Sequence, residues 1–175
     1  MKIHTLGPYA TDSNAAAIQY NQSKMNCYLI ELHASFEEIL ANLAKYQNDY
    51  LLLPAAFKSR QMAVSWGELH YQYLDQLELV DSFQNPLAEL VIVENTKRKT
   101  GIGYTHAATT HLLGTKTNLK NIECCKSKYE AYQKYLIDGQ YVLTNFKNIT
   151  LNSDEKIGYR VTPKMIWCLY LIKNK

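Results

Sequence analysis

Along the first third of the chain, short apolar runs of strand character alternate with stretches of helical period. "KIHTL" leads into "TDSNAAAIQYN", "CYLIEL" leads into "SFEEILANLAKY", and "DYLLLP" follows. The runs are rich in β-branched and aromatic residues, and the stretches between them repeat their apolar positions every three or four residues. This is a βαβαβ pattern, whose short connections favour a parallel sheet with covering helices. Ser35, followed three residues later by Glu38, predicts a capping box at the start of the second helix. Phe36, Ile39, Leu40 and Leu43 then share its buried face.

Beyond Pro54, "LELVDSFQNPLAELVIVEN" predicts two strands around Asn85 and Pro86, followed by the basic turn "TKRKTG". The first pattern then returns: "IGYT" into "HAATTHLLGTK", "IECC" into "SKYEAYQKYLIDG", then "YVLTN". Ser127 and Glu130 predict a second capping box, and Gly139 a helix C-cap. The tail "MIWCLYLI" is a strand expected to return to the first lobe. The expectation is two lobes, residues 1–82 with 160–175 and residues 83–159, with a cleft between them.

Open α/β sheets take ligands beyond the carboxyl ends of their strands, where helix starts present unpaired N–H groups and the positive end of the dipole. "LGPYATDS" is such a place: Gly7 allows a tight turn, Pro8 stiffens it, and Thr11 and Ser13 add hydroxyls at the first turn. Thr105 with His106 marks a matching start in the second lobe, and Ser127 a third. Converging helix starts suit an anion in the cleft. Each of these residues also has the plain role of a helix cap, and none identifies a ligand alone.

Composition narrows the partners. The 175 residues are 47% hydrophobic and 20% charged, enough for one globular unit or two small lobes. A net charge of +3 comes from cations scattered among acids, with Lys97, Arg98 and Lys99 as the one run. That pattern argues against nucleic acid and suits a small anionic substrate. The opening residues do not read as a signal peptide and no run is long enough to span a bilayer, so the expectation is a cytoplasmic protein with no membrane partner. Cys27, Cys124, Cys125 and Cys168 lack C-x-x-C spacing and are expected as buried, reduced thiols. His106 and His111 lie five apart and so point apart on a helix; neither a metal nor a cofactor is expected.

The ordered set of motifs carries a family likeness. "LGPYATDSNAAA" resembles the opening of the catalytic domain of prephenate dehydratases. "LLLPAA" resembles their later strand and proline, "YTHAATTHLL" their serine-histidine-proline helix start, and "CKSKYEAYQKYLIDGQYVLTN" their next helix and strand. The resemblance runs through nearly the whole chain. It implies an α/β, two-lobed, periplasmic-binding-protein-like (type II) fold, each lobe a sheet flanked by helices, with substrate in the cleft and a homodimeric state.

The departures are specific. Where dehydratases carry Thr-Arg-Phe on the last strand, this chain has Met165, Ile166 and Trp167; their Glu-Asn-Ser is replaced by Ala56, Phe57 and Lys58, and Ala10 stands for a usual glycine. With "LTN" and the final-strand tryptophan, the chain is more similar to the prephenate decarboxylase branch of bacilysin biosynthesis. That branch removes carbon dioxide from prephenate without aromatising the ring, giving a dihydro-hydroxyphenylpyruvate for an antibiotic amino acid. Alternatives are a non-catalytic binding module for an aromatic-pathway acid and a divergent dehydratase.

On this resemblance, Thr11 and Ser13, with the backbone of residues 7–11, take one carboxylate, and Thr105, His106 and Ser127 form the second lobe's share. His106 is the proton donor and, with Thr11, a catalytic candidate. Lys58 and Arg60 replace the lost arginine charge, Asn145 beside Thr144 hydrogen-bonds substrate, and Trp167 walls the ring. Against these roles stand plain ones: a packed or solvated histidine, solvated loop cations, a turn asparagine and a core tryptophan.

Overall fold

The first strand, β1 (Lys2–Leu6), is buried along its middle on both faces, as a central parallel strand must be. In the computed structural model, which describes residues 1–25, 27–59 and 61–174, the chain divides into two units. Unit 1 comprises Met1–Pro86 and the C-terminal segment from Lys164, and unit 2 is Leu87–Pro163. The expected limits at 82/83 and 159/160 fall inside strands. Those strands continue pairing to Pro86 and Val161, so the chain can change units only after them.

Unit 1 continues with α1 (Asp12–Lys24), β2 (Leu29–His33), α2 (Phe36–Ala41) and β3 (Tyr50–Pro54). A small hairpin of β4 (Lys58–Ser59) and β5 (Val64–Ser65), α3 (Trp66–Gln72) and the long β6 (Leu77–Pro86) follow. Unit 2 holds β7 (Leu90–Asn95), β8 (Ile102–His106), α4 (Thr110–Thr117), β9 (Asn121–Cys125), α5 (Lys128–Asp138), β10 (Tyr141–Asn145) and β11 (Glu155–Val161). The last strand, β12 (Lys164–Ile172), rejoins unit 1 between β3 and β6, antiparallel to both.

The main sheet of unit 1 runs β2-β1-β3-β12-β6, and that of unit 2 runs β11-β7-β10-β8-β9. In each, the chain crosses from the central parallel strand to one side and then back past it to the other. Right-handed crossovers therefore put the two intervening helices on opposite faces. Leu6 packs against the cluster that holds Phe36, Ile39 and Leu40 of α2, so β1 turns His4 and Leu6 toward α2. Tyr104 packs with Ala131, Tyr132 and Tyr135, so β8 turns Tyr104 toward α5.

Local chemistry sets the helix ends. Ser35 and Ser127 accept from the backbone N–H groups of Glu38 and Glu130, as expected of caps. The two glutamates, however, reach one residue further back than a capping box requires, to Ala34 N–H and Lys126 N–H. A closed box forms instead at Ser65 and Glu68, where Glu68 accepts from both the backbone N–H and the hydroxyl of Ser65. Gly139 ends α5 with extended backbone, φ −67° and ψ 139°, rather than in the left-handed region. Its smallness matters because a Cβ would lie 2.8 Å from Tyr135 Cα and 2.9 Å from the Tyr104 ring.

The basic run is structural at its centre. The Arg98 guanidinium donates to the carbonyls of Tyr135, Leu136 and Gly139, capping the last turn of α5, and Lys97 pairs with Asp154 at 2.7 Å. All four cysteines are free thiols. Cys125 and Cys168 are buried, but Cys27 and Cys124 are exposed, against expectation. Alternation along β9 sends Cys124 out where Cys125 goes in, and Cys27 lies in the open connection before β2.

Candidate functional site at the strand carboxyl ends

In unit 1 the carboxyl ends of β1, β3 and β6 and the start of α1 lie along one edge, because β6 runs parallel to β3 through the antiparallel β12. Gly7 closes tightly there: its N–H donates to His33 O at 2.8 Å, and a Cβ would stand 3.1 Å from Leu32 Cβ. Thr11 is the N-cap of α1. Its hydroxyl donates to Leu6 O at 2.8 Å and accepts from Asn14 N–H at 3.2 Å, which uses its proton within the turn. Ser13 is buried in the first turn of the helix. The 13-residue helix contributes the positive end of its dipole at this edge.

In unit 2, β8, β9 and β10 end along a corresponding edge. Thr105 is fully buried; its hydroxyl donates to Leu143 O at 3.1 Å and shares a 2.7 Å bond with Thr109, so it ties two strands together. His106 ends β8 and accepts at Nδ1 from Ala108 N–H at 3.3 Å, an arrangement that leaves the ring proton on Nε2. Ser127 is exposed and caps α5. Thr144 donates to Lys128 O at 2.7 Å. Asn145, at the end of β10, is buried, and its Oδ1 has no hydrogen-bond partner among the described residues.

The remaining expected residues fall elsewhere. Lys58 is exposed on β4, where its charge helps hold Glu68 below the usual carboxylate range, an effect due first to the hydrogen bonds from Ser65. Arg60 lies outside the described residues. Trp167 is buried in β12, paired in register with Phe83 and Pro54. Two surface depressions, one in unit 1 lined by Leu43, Gln47 and Gln76 and one in unit 2 lined by Glu94, Lys116 and Tyr159, are formed by residues other than those of the expected site.

Sequence reasoning missed two groups. Asn85, near the end of β6, is buried with an unpartnered Oδ1 like Asn145; beside Pro86 it reads simply as a turn residue. His4 and His33 were missed as well, although a histidine inside an apolar strand was a visible signal in "KIHTL" and "LIELH". Their rings meet with His4 Nδ1 and His33 Nε2 2.9 Å apart. Burial holds His4 below the usual imidazole range, opposed by its hydrogen bond with Asp49. With Glu31, they form the set of metal-ligating side chains brought together among the described residues.

No protein-family model matches the chain, and no curated protein matches it in sequence. Solved structures do match it. The prephenate dehydratase of Arthrobacter aurescens, in complex with L-Phe, superposes with a TM-score of 0.56 at 12% identity, covering 100% of this chain and 61% of its own. The prephenate dehydratase of Staphylococcus aureus gives 0.58 at 12% identity, covering 100% and 67%. A periplasmic His/Glu/Gln/Arg/opine family-binding protein from Silicibacter pomeroyi, in complex with lysine, gives 0.52 at 8% identity, covering 98% and 82%. The likeness is one of fold. The chain has the mixed α/β, periplasmic-binding-protein-like type II fold, two sheets flanked by helices, that prephenate dehydratases share with small-ligand binding proteins. It spans about three fifths of the length of the Arthrobacter enzyme.

Proposed function

We propose that the chain is a lyase acting on prephenate, removing carbon dioxide without aromatising the ring, as in the prephenate decarboxylase branch of bacilysin biosynthesis. The observation that carries this reading is Asn145, a buried amide at the carboxyl edge of the parallel strands whose Oδ1 lacks a donor. An orphaned acceptor matches a ring hydroxyl that is kept, since a carboxylate has no proton to offer it. The absence of a Thr-Arg-Phe sequence agrees with this: β12 carries Met165, Ile166 and Trp167 there, none able to expel a hydroxyl.

The chemistry asks little more. As carbon dioxide leaves, its bonding pair spreads into the ring diene and a ring carbon takes up a proton. His106, with its proton on Nε2, is the donor. The first-turn N–H groups of α1 with Ser13 bind a carboxylate at the helix start. Thr11 acts through the turn it holds rather than by giving up its proton. Cytoplasmic location and a homodimeric state belong to the same proposal.

A second reading, a binding module without turnover, is favoured by the commitment of the Thr11 and Thr105 hydroxyls to backbone carbonyls. Incubating the chain with prephenate and following products by mass separates the readings. Loss of carbon dioxide with the hydroxyl retained, reduced at least tenfold in Asn145→Ala and His106→Ala, is the expected result. Phenylpyruvate would mean a dehydratase. Unchanged prephenate with a raised melting temperature would mean a binding module.

A further inference from the structure

The histidines in the unit 1 sheet do more than fill its core. Pairing of β1 with β2 sets His4 opposite Glu31 and Leu6 opposite His33, so Glu31 and His33, two apart on one strand, share a face with His4. One ligand atom from each of the three lies within 4.8 Å of the others. His33 Nε2 stands 2.9 Å from His4 Nδ1 and 4.0 Å from Glu31 Oε1.

Each of these side chains is also held from behind. His4 Nε2 lies 3.3 Å from Asp49 Oδ2, His33 Nδ1 lies 3.8 Å from Glu38 Oε1, and Glu31 Oε2 is paired with Lys2 Nζ at 2.7 Å. The His4 ring stacks on Tyr46 with centroids 4.1 Å apart. A carboxylate behind an imidazole is the outer support that metal-ligating histidines ordinarily have: it fixes the ring and raises the basicity of the ligating nitrogen.

We propose that His4, His33 and Glu31 form a binding site for a divalent cation of the zinc class, with Asp49 and Glu38 orienting the two imidazoles. Two imidazoles and one carboxylate select zinc and its late first-row neighbours over calcium or magnesium, which take oxygen ligands. Three protein ligands leave the fourth position of a tetrahedral ion to water or to a ligand.

The fit is close. Bonds of about 2.1 Å in a tetrahedral site put ligand atoms about 3.4 Å apart. The two imidazole nitrogens therefore open by roughly 0.5 Å, and Glu31, half-buried on the solvent side, closes on His33 by roughly 0.6 Å, with no pair of ligand atoms starting more than 4.8 Å apart. Without metal, His4 Nε2–H faces Asp49 and His33 Nε2–H donates to His4 Nδ1. On binding, the His33 proton moves from Nε2 to Nδ1, where it faces Glu38, and both ligating nitrogens carry a lone pair to the metal. The expectation of no metal rested on the spacing of His106 and His111; strand register joins a different pair.

Titration of the full chain with zinc against a chromophoric chelator, with cobalt as a spectroscopic probe, tests the site. One ion per chain is expected, with affinity falling at least tenfold in His33→Gln and in Glu31→Gln, and less steeply in Asp49→Asn. The cobalt form should show visible ligand-field absorption without a thiolate charge-transfer band. Glu31 is half-buried, so Glu31→Gln leaves the core intact and decides the matter even if His33→Gln does not fold, with far-ultraviolet circular dichroism as the check. No stoichiometric binding, affinity unchanged in Glu31→Gln, or a thiolate band that disappears in Cys124→Ser would overturn the proposal.

Discussion

The two units place different chemistry on one backbone plan. Read from the second parallel strand outward, β2-β1-β3-β12-β6 matches β9-β8-β10-β7-β11, with the same strand directions at every step. The correspondence reaches single bonds: Thr5 donates to Leu52 O at 2.8 Å, and Thr105 to Leu143 O at 3.1 Å. One residue earlier the units part. His4, Glu31 and His33 of unit 1 correspond in register to Tyr104, Glu123 and Cys125 of unit 2. Tyr104 donates to Asp138 at 2.8 Å, and burial pushes the Cys125 thiol up, so unit 2 holds a neutral, protonated pair where unit 1 holds two imidazoles between carboxylates. Topology fixes where side chains meet, and residue choice alone decides whether the meeting place is core or site.

Alkaline titration gives the largest effect expected from that comparison. Burial pushes Tyr20, Tyr104 and Tyr170 up to about 12, with Asp81 assisting at Tyr20 and Asp138 at Tyr104. Unfolded tyrosines lose their protons from about pH 10, while the native ones keep theirs, so the unfolded state binds fewer protons and stability falls between pH 10 and 12. Each tyrosine contributes on the order of 2–3 kcal/mol by pH 12. Denaturant titrations at pH 9 and 11 should show the fall. Tyr104→Phe should remove only its own share, because burial also pushes Tyr135 and Tyr141 of unit 2 up, and an unchanged pH slope in that variant would show that Tyr104 titrates normally.

A smaller effect separates Gly139 from Gly7, the two glycines whose added Cβ would meet backbone or a Cβ rather than the end of a flexible side chain. Gly139→Ala must displace Tyr135 backbone and should cost about 2–3 kcal/mol by overpacking. Gly7→Ala meets Leu32 Cβ at 3.1 Å and should cost less, about 1 kcal/mol. Urea midpoints of the two variants rank them, and equal losses would contradict the packing described for α5.

The smallest effect is on the paired threonines. Thr5→Val removes one hydrogen bond to a strand carbonyl and should cost about 1 kcal/mol. Thr105→Val also removes the oxygen to which the Thr109 hydroxyl donates, leaving that proton to turn to His106 O, and should cost somewhat more, up to about 2 kcal/mol. Thermal unfolding of both decides whether the equivalent bonds carry equivalent weight.

Much of this was legible in the linear order of residues. The strands and helices of both βαβαβ segments, the strand character of "MIWCLYLI" and the caps at Ser35 and Ser127 all follow from local periodicity and capping chemistry. Of the expected site, Thr11 reads correctly as a helix start, yet the use of its hydroxyl on Leu6 O depends on how the turn closes. Thr105 resembles a helix-start hydroxyl in sequence and proves to be a strand tie. Arg98 looks like one cation in a basic turn, but its partners are carbonyls 37 to 41 residues away.

What the sequence by itself determined is the kind and order of elements, because hydrophobic period, caps and turns act over a few neighbouring residues. Only the tertiary structure decided which side chains meet. His4 and His33 stand 29 positions apart, and Asp49 lies 45 from His4. Their contact rests on the pairing of β1 with β2, where a slip of one residue would send Glu31 and His33 to the opposite face.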